Sequence, residues 1–270
     1  MKKERLDKVL VDLGYFETRQ KAQAAIMAQD VKINGETITK AGFQILVTDE
    51  TNIEIKTMPY VSRGGFKLEK ALNSFNIDVK NRVCLDAGAS TGGFTDCMLQ
   101  RGAKFIYSVD VGYGQFAWKL RQSEKIKVVE RTNVKNCAFD DVYAEGEVVA
   151  DFCAMDLSFI SVTKVLPNVV NLLGEKKELA VLIKPQFEAG KEFVGKNGVV
   201  REKSTHIDVI RNVINCVNEL DLSVHGLQFS PIKGPKGNIE YLIHLKNQLS
   251  ECEISVESVV DEAFLSLTDK

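Results

Sequence analysis

The stretch Asn81-Arg82-Val83-Cys84-Leu85-Asp86-Ala87-Gly88-Ala89-Ser90-Thr91-Gly92-Gly93-Phe94 decides the fold. Val83, Cys84 and Leu85 form a short apolar run, the pattern of a buried strand. Asp86 closes the run. Gly88, Ser90, Gly92 and Gly93 then make a loop with almost no side-chain bulk, and Thr95 to Gln100 reads as the start of a helix. A strand, a small-residue loop and a helix N-terminus in that order form the nucleotide-binding corner of a doubly wound sheet. Glycines there let the backbone approach a ligand closely. A second acid, Asp110, ends the next apolar run, Phe105 to Val109. Its distance from the loop suits a carboxylate that grips ribose hydroxyls.

Two cofactors compete for this corner. A dinucleotide needs glycine where its pyrophosphate crosses the turn, and in the G-x-G-x-x-G frame that begins at Gly88 this position is Ser90. S-adenosylmethionine instead calls for an acid followed by a Gly/Ser-rich loop, and Asp86 to Gly93 fits that better. A Gly-rich turn without any ligand stays open as the third reading.

Downstream, strands are expected at 104–110, 126–130, 151–156, 179–184, 223–229 and 240–246, and helices at 66–75, 94–101, 115–122, 161–172 and 205–219. Pro167 predicts a kink or a late start in the fourth of these helices. Strands alternating with helices predict an α/β fold with a mostly parallel sheet, and the 222–246 pair an antiparallel hairpin that ends it. Ser255 to Leu267 is expected to be helical.

Upstream lies a smaller α+β module. Leu6, Val9, Leu10 and Leu13 fall at helical spacing and Gly14 stops that helix. Thr18 can cap a second helix carrying Ala22, Ala25 and Ile26. Asn34-Gly35 between Val31-Lys32-Ile33 and Glu36-Thr37-Ile38 is a strong hairpin signal, and Ile53 and Ile55 alternate in a last strand. Residues 57–65, with Pro59 and two glycines, read as a linker.

Composition narrows the classes. The 270 residues are 44% hydrophobic, enough for a globular core, and no apolar run reaches the ~18 residues of a membrane helix. The opening segment is amphipathic, so no signal peptide is read and a cytoplasmic location is expected. The six cysteines lack CxxC spacing and the three histidines are scattered, so no metal site is expected. The net charge of −2 hides an uneven distribution: residues 247–270 carry a net −5 and residues 56–82 a net +4. Local positive charge is what a nucleic-acid face requires.

Arg5-Leu6-Asp7, Thr18-Arg19-Gln20-Lys21-Ala22 and Val31-Lys32-Ile33-Asn34-Gly35 resemble the S-four-type (alpha-L) RNA-binding module of ribosomal proteins, which usually has glycine where Asp30 stands. Four charged residues sit beside chain breakers or at strand ends: Lys67 after Ser62-Arg63-Gly64-Gly65-Phe66, Asp156 in Met155-Asp156-Leu157-Ser158-Phe159-Ile160, Lys184 in Leu182-Ile183-Lys184-Pro185-Gln186-Phe187, and Glu240 after Gly234-Pro235-Lys236-Gly237-Asn238-Ile239. A lysine closing a buried strand is costly unless paired or functional. Their order resembles the K-D-K-E tetrad of FtsJ-like ribose 2′-O-methyltransferases. With the module in front, residues 2–246 resemble the TlyA (hemolysin A) family of rRNA methyltransferases.

The resemblance implies residues 1–57 as an RNA-binding domain, 58–65 as a linker, 66–246 as an FtsJ-like methyltransferase domain and 247–270 as an acidic tail. It implies S-adenosylmethionine as cofactor, held by Asp86, Gly88, Ser90, Gly92, Gly93, Phe94, Asp110, Asn133 and Asp156. It implies ribosomal RNA or ribosomal subunits as partner, met by Arg5, Lys8, Arg19, Lys21 and Arg63, and the ribose of cytidine as target. Lys67, Asp156, Lys184 and Glu240 would be catalytic. A ribose hydroxyl is a poor nucleophile, and a lysine desolvated beside a second lysine gives up its proton more readily and can act as the base. That role falls to Lys184, oriented by Lys67, Asp156 and Glu240. The Asn/Asp-Pro-Pro-aromatic signature of amino-group methyltransferases is absent. Two other readings stay in view: a membrane-active hemolysin, and an RNA-binding protein with an inert methyltransferase domain.

Overall fold

The structure is a computed structural model and describes residues 3–16, 18–48, 51–56 and 58–268. Lys2, where the family resemblance begins, and Thr57, where the sequence ends the first domain and begins the linker, lie outside the described residues, as do Asp269 and Lys270. The chain divides between Pro59 and Tyr60 into two compact units.

The first unit runs β1 (Glu4–Arg5), α1 (Leu6–Asp12), α2 (Arg19–Met27), β2 (Val31–Ile33), β3 (Glu36–Thr37), β4 (Gln44–Ile45) and β5 (Ile53–Ile55). Leu6, Val9 and Leu10 of α1 pack with Ala22 and Ile26 of α2 over Val31, Ile33, Ile38 and Ile45. The Thr18 hydroxyl accepts the Lys21 N–H at 3.3 Å and caps α2. Asn34 and Gly35 both take positive φ, 50° and 83°, the mirror-image turn that matches hairpin twist. β3 and β5 flank β2, and β4 pairs with β1, a two-residue ladder too short for alternation to announce. Gln29, with φ of 65°, supplies the left-handed turn before Asp30, so the acid at 30 needs no glycine conformation.

Asp7 is the polar centre of this unit. It is fully buried. It accepts from Arg5 Nε (3.0 Å) and Nη2 (2.9 Å), Arg19 Nη2 (3.1 Å) and Gln23 Nε2 (2.5 Å). The Arg5 bond holds its carboxyl well below the usual carboxylate range.

The second unit runs α3 (Gly64–Ser74), β6 (Val83–Ala87), α4 (Gly93–Gln100), β7 (Phe105–Val109), α5 (Trp118–Arg121), β8 (Ile126–Val129), α6 (Phe139–Val142), β9 (Phe152–Met155), α7 (Leu166–Asn171), β10 (Glu178–Ile183), α8 (Pro185–Glu188), α9 (Lys203–Asn218), β11 (Ser223–Phe229), β12 (Tyr241–Lys246) and α10 (Val256–Thr268). Seven strands form one sheet in the order β11-β12-β10-β9-β6-β7-β8, and all neighbours are parallel except those of β12. The expected α/β sheet with a terminal antiparallel hairpin is the one observed, with β12 inserted between β10 and β11. Strand order reverses between β6 and β9, and that crevice is where such sheets bind ligands. Pro167 gives the late start: a 3-10 turn at Val162–Lys164 precedes α7. The helix expected over 115–122 shrinks to the four residues of α5.

Two cores cover the two faces. Leu85, Cys153, Val181 and Tyr241 belong to the face under α7, α9 and α10, and Cys84, Ala154, Leu182 and Leu242 to the face under α3 and α4. Side chains alternate along a strand. Asp86, Asp156, Lys184 and Glu240 therefore all fall on the α3 side, where Lys67 lies. The acidic C-terminal segment does not stand apart. Val256, Val260 and Ala263 of α10 are buried in the core, while Glu257 pairs with Arg211 and Asp261 with Lys203 of α9.

Asp7→Ala leaves two half-exposed guanidiniums without their shared acceptor and is expected to destabilise the first unit. Because pairing lowers the Asp7 pKa in the folded state, its contribution is present above the ordinary aspartate value of 3.8 and falls away on acidification. Hydrogen exchange over residues 6–27 should accelerate in the variant at neutral pH; unchanged exchange contradicts this.

Candidate active site

Lys67 projects from the first turns of α3, and Asp156, Lys184 and Glu240 follow or precede the adjoining strands β9, β10 and β12. Lys67 Nζ donates to Glu240 Oε2 at 2.6 Å and lies 3.8 Å from Asp156 Oδ2. Asp156 Oδ1 is 2.5 Å from Lys184 Nζ, which donates to Ser158 Oγ at 3.0 Å. Gln186 Nε2 donates to Glu240 Oε1 at 3.4 Å. The four expected residues thus form one chain, Glu240–Lys67–Asp156–Lys184, in which the signs alternate. Lys67, Lys184 and Glu240 are buried and Asp156 is partly exposed, as charges taken from water require when each has a partner.

A cavity of about 520 Å³ opens beside this chain at the C-terminal ends of β6, β7 and β9. Gly88, Ser90, Asp110, Asn133 and Asp156 line it, joined by Thr132, Leu157, Ser158 and Phe159. Asp110 Oδ2 accepts the Ser90 N–H at 2.7 Å, and Oδ1 accepts from Gly112 N at 2.6 Å and Gln115 Nε2 at 2.9 Å. The same carboxylate thereby shapes both loops of the rim. Gly88 has φ of 93°, and a Cβ there would stand 2.5 Å from the Asp156 carbonyl oxygen. Only glycine lets the two loops cross so closely.

The remaining cofactor candidates do not line the cavity. Gly92 has φ of 93° at the start of α4, and a Cβ on it would meet Leu120 Cδ1 at 2.6 Å. Gly93 abuts Ser62, and Phe94 packs into the α3-side core. Their small size or apolar bulk serves helix packing. Asp86 is fully buried behind the loop. Its Oδ2 accepts from Thr95 Oγ1 at 2.5 Å, so the Ser108 hydroxyl, 2.8 Å away, donates to Thr95 in turn. Asp86 Oδ1 has no partner among the described residues, and burial pushes the carboxyl up to about 7.

Three features escaped the sequence. Ser158 holds Lys184 and Gln186 touches Glu240; both lay inside quoted motifs, but only the fold reveals what they reach. Phe159 is 90% exposed with φ of 65° and packs obliquely on Phe187, ring centroids 5.1 Å apart. Among the RNA candidates, Arg5 and Arg19 are held by Asp7. Lys8 pairs with Glu4 (2.9 Å) and Asp12 (3.7 Å), and Lys21 sits in the first turn of α2. Arg63 is exposed and reaches the Lys233 carbonyl at 3.5 Å. Among the described residues no group of His, Cys, Asp and Glu could hold a metal ion.

Residues 60–247 match the FtsJ-like methyltransferase family, and residues 4–50 match the S4 domain. The chain belongs to the FtsJ-like methyltransferase family. It is 46% identical to YqxC of Bacillus subtilis (strain 168), named as a candidate rRNA methyltransferase, with 100% of this chain and 97% of that one covered. It is 38% identical to the 16S/23S rRNA (cytidine-2′-O)-methyltransferase TlyA of Mycobacterium tuberculosis, with 99% of this chain and 98% of that protein covered. A solved chain from Streptococcus thermophilus, named as a candidate hemolysin, superposes with a TM-score of 0.77 at 43% identity, covering 99% of this chain and 98% of that one. This FtsJ-like chain thus shares its whole length with relatives named for two different activities.

The Asp86 geometry yields a pH dependence. A carboxyl whose folded pKa is raised stabilises the fold below its unfolded value, and the contribution is lost as pH rises from about 4 to about 7. Denaturant titrations of the ligand-free protein should therefore show Asp86→Asn flattening that part of the stability profile. An identical slope in both proteins contradicts the placement.

Proposed function

We propose that the protein methylates the 2′-hydroxyl of a cytidine ribose in ribosomal RNA, with S-adenosylmethionine as methyl donor. One observation carries the reading: Asp156 belongs at once to the cavity wall and to the ion-pair chain that holds Lys184. A cofactor cavity and a paired lysine therefore share a wall. The relatives' names supply the nucleotide and the RNA.

The residues present suit the cofactor. Asp110 on the rim fits its ribose hydroxyls, and Asn133 its adenine edge. The N-cap residue of α4, Gly92, makes no side-chain cap, and a helix N-terminus suits a carboxylate. When bound, S-adenosylmethionine supplies an electrophilic methyl group on a sulfonium. Lys184 binds the ribose hydroxyl and takes its proton at Nζ after its ammonium has released its own proton to solvent, since only the neutral amine has a lone pair. Asp156 and Ser158 fix the direction of that nitrogen, and Glu240 holds Lys67 against Asp156. Positioning of this kind supplies most of the barrier reduction in a one-step displacement. Phe159 offers an exposed ring packed on Phe187, whose own ring lies 6.0 Å from Lys184 Nζ, and unstacked bases bind to such rings. Arg5, Lys8, Arg19, Lys21 and Arg63 meet RNA phosphates, which makes binding salt-dependent. A ribosomal RNA substrate places the work in the cytoplasm. Among the described residues no helix is long and apolar enough to cross a membrane.

The test is transfer of a labelled methyl group to ribosomal subunits. Lys184→Ala is expected to keep cofactor affinity and lose at least ~100-fold in single-turnover rate, the low end for positioned acid–base groups. Lys184→Arg is expected to fail as well, because a guanidinium keeps its proton. The wild-type rate should rise with pH. A Lys184→Arg enzyme near the wild-type rate contradicts the role of Lys184 as base.

A further inference from the structure

Glu240 holds Lys67, and something must in turn hold Glu240. Gln186 Nε2 and the Ser230 N–H reach it directly, and two residues outside the cavity tie down the segment around it. Asn238, two positions earlier, is 1% exposed. Its Oδ1 accepts the Val200 N–H at 3.0 Å and its Nδ2 donates to the Gly198 carbonyl at 2.8 Å. Its own carbonyl accepts the Gly234 N–H at 2.9 Å and closes the turn 234–238. That turn presses on the carboxylate: a Cβ on Gly234 would stand 2.6 Å from Glu240 Oε1.

His206, near the start of α9, supplies the second tie and is fully buried. Its Nε2 lies 3.1 Å from the Val200 carbonyl and its Nδ1 2.9 Å from the Tyr241 hydroxyl. A carbonyl only accepts, so Nε2 carries the ring proton and Nδ1 accepts from Tyr241. Burial lowers the His206 pKa and favours the neutral ring that this pairing needs. Val200 is therefore gripped at its N–H by Asn238 and, through its carbonyl, tied to Tyr241 by way of His206. Glu240 lies between the two gripped positions, Asn238 and Tyr241, just before β12.

We propose that Asn238 and His206 are positioning residues for methyl transfer: by clasping Val200 they fix the 238–241 segment so that Glu240 presents Lys67 to Asp156. This rests on the function proposed above. Neither residue lines the cavity, so the clasp acts on rate and leaves cofactor affinity alone. A purely structural clasp would change stability and nothing else.

The test measures single-turnover methyl transfer at saturating ribosomal subunits and S-adenosylmethionine, with cofactor affinity by calorimetry. Asn238→Ala should lower the rate about tenfold or more while affinity stays within twofold, since displacing a catalytic group by ~1 Å costs up to ~100-fold. In the Glu240→Gln background the same substitution should cost almost nothing further, because residues acting through one group are not additive. Tyr241→Phe, which removes one oxygen from a packed ring, should slow transfer several-fold even if Asn238→Ala does not fold. His206→Gln, which keeps a donor for the Val200 carbonyl, should retain more rate than His206→Ala. A Tyr241→Phe or folded Asn238→Ala protein at the wild-type rate overturns the inference, as does a loss that multiplies with Glu240→Gln. A wild-type protein that transfers no methyl group to RNA overturns instead the function on which it rests.

Discussion

Two lysines removed from water at the end of one sheet are tolerable only if carboxylates lie against them; an unpaired buried ion costs several kcal/mol. Asp156 meets that constraint for both. It stands 2.5 Å from Lys184 and 3.8 Å from Lys67, and Glu240 completes the neutralisation from the far side. The arrangement exists because β9, β10 and β12 are adjacent and in register, so that the residues at their ends on one face converge on α3. Removing Asp156 would leave the buried Lys184 ammonium without its carboxylate, and removing Glu240 would leave Lys67 only Asp156 at 3.8 Å. The chemistry of the site and the packing of the unit therefore depend on the same pairs.

The cavity depends on a different constraint, the close crossing of the loops after β6 and β9. Gly88 permits it, and Asp110 ties the Ser90 loop to the next rim segment. Asp86, first in the loop motif, stands one layer back and braces the start of α4 through Thr95. A motif acid thus supports the loop from behind, while the acid after the second strand forms the wall.

The fold was legible in the sequence where periodicity or breakers were strong. The strand starting at Val83 with its glycine loop, the Asn34-Gly35 hairpin and the late helix start at Pro167 all follow from local rules, although that strand runs through Asp86 to Ala87, past the end that the apolar run puts at Asp86. The tetrad was legible as four charges beside breakers, because a charge closing an apolar strand has few structural excuses. Ser158, Gln186, Asn238 and His206 were not legible as site residues, since each acts through a partner 26 to 54 positions away that only tertiary folding brings near. Gly92, Gly93 and Phe94 look like ligand contacts in the motif, yet their surroundings are Leu120, Ser62 and the helical core. Local sequence does not reveal on which side of a loop the space lies.

The most direct measurement concerns where the methyl group ends up. Ribosomal RNA incubated with the protein and isotopically labelled S-adenosylmethionine can be digested to nucleosides and resolved by mass spectrometry. The proposed function predicts label in 2′-O-methylcytidine, at a position where the chain resists alkaline cleavage because the blocked oxygen cannot attack its phosphate. Label on a base, or on no nucleoside at all, would contradict the account.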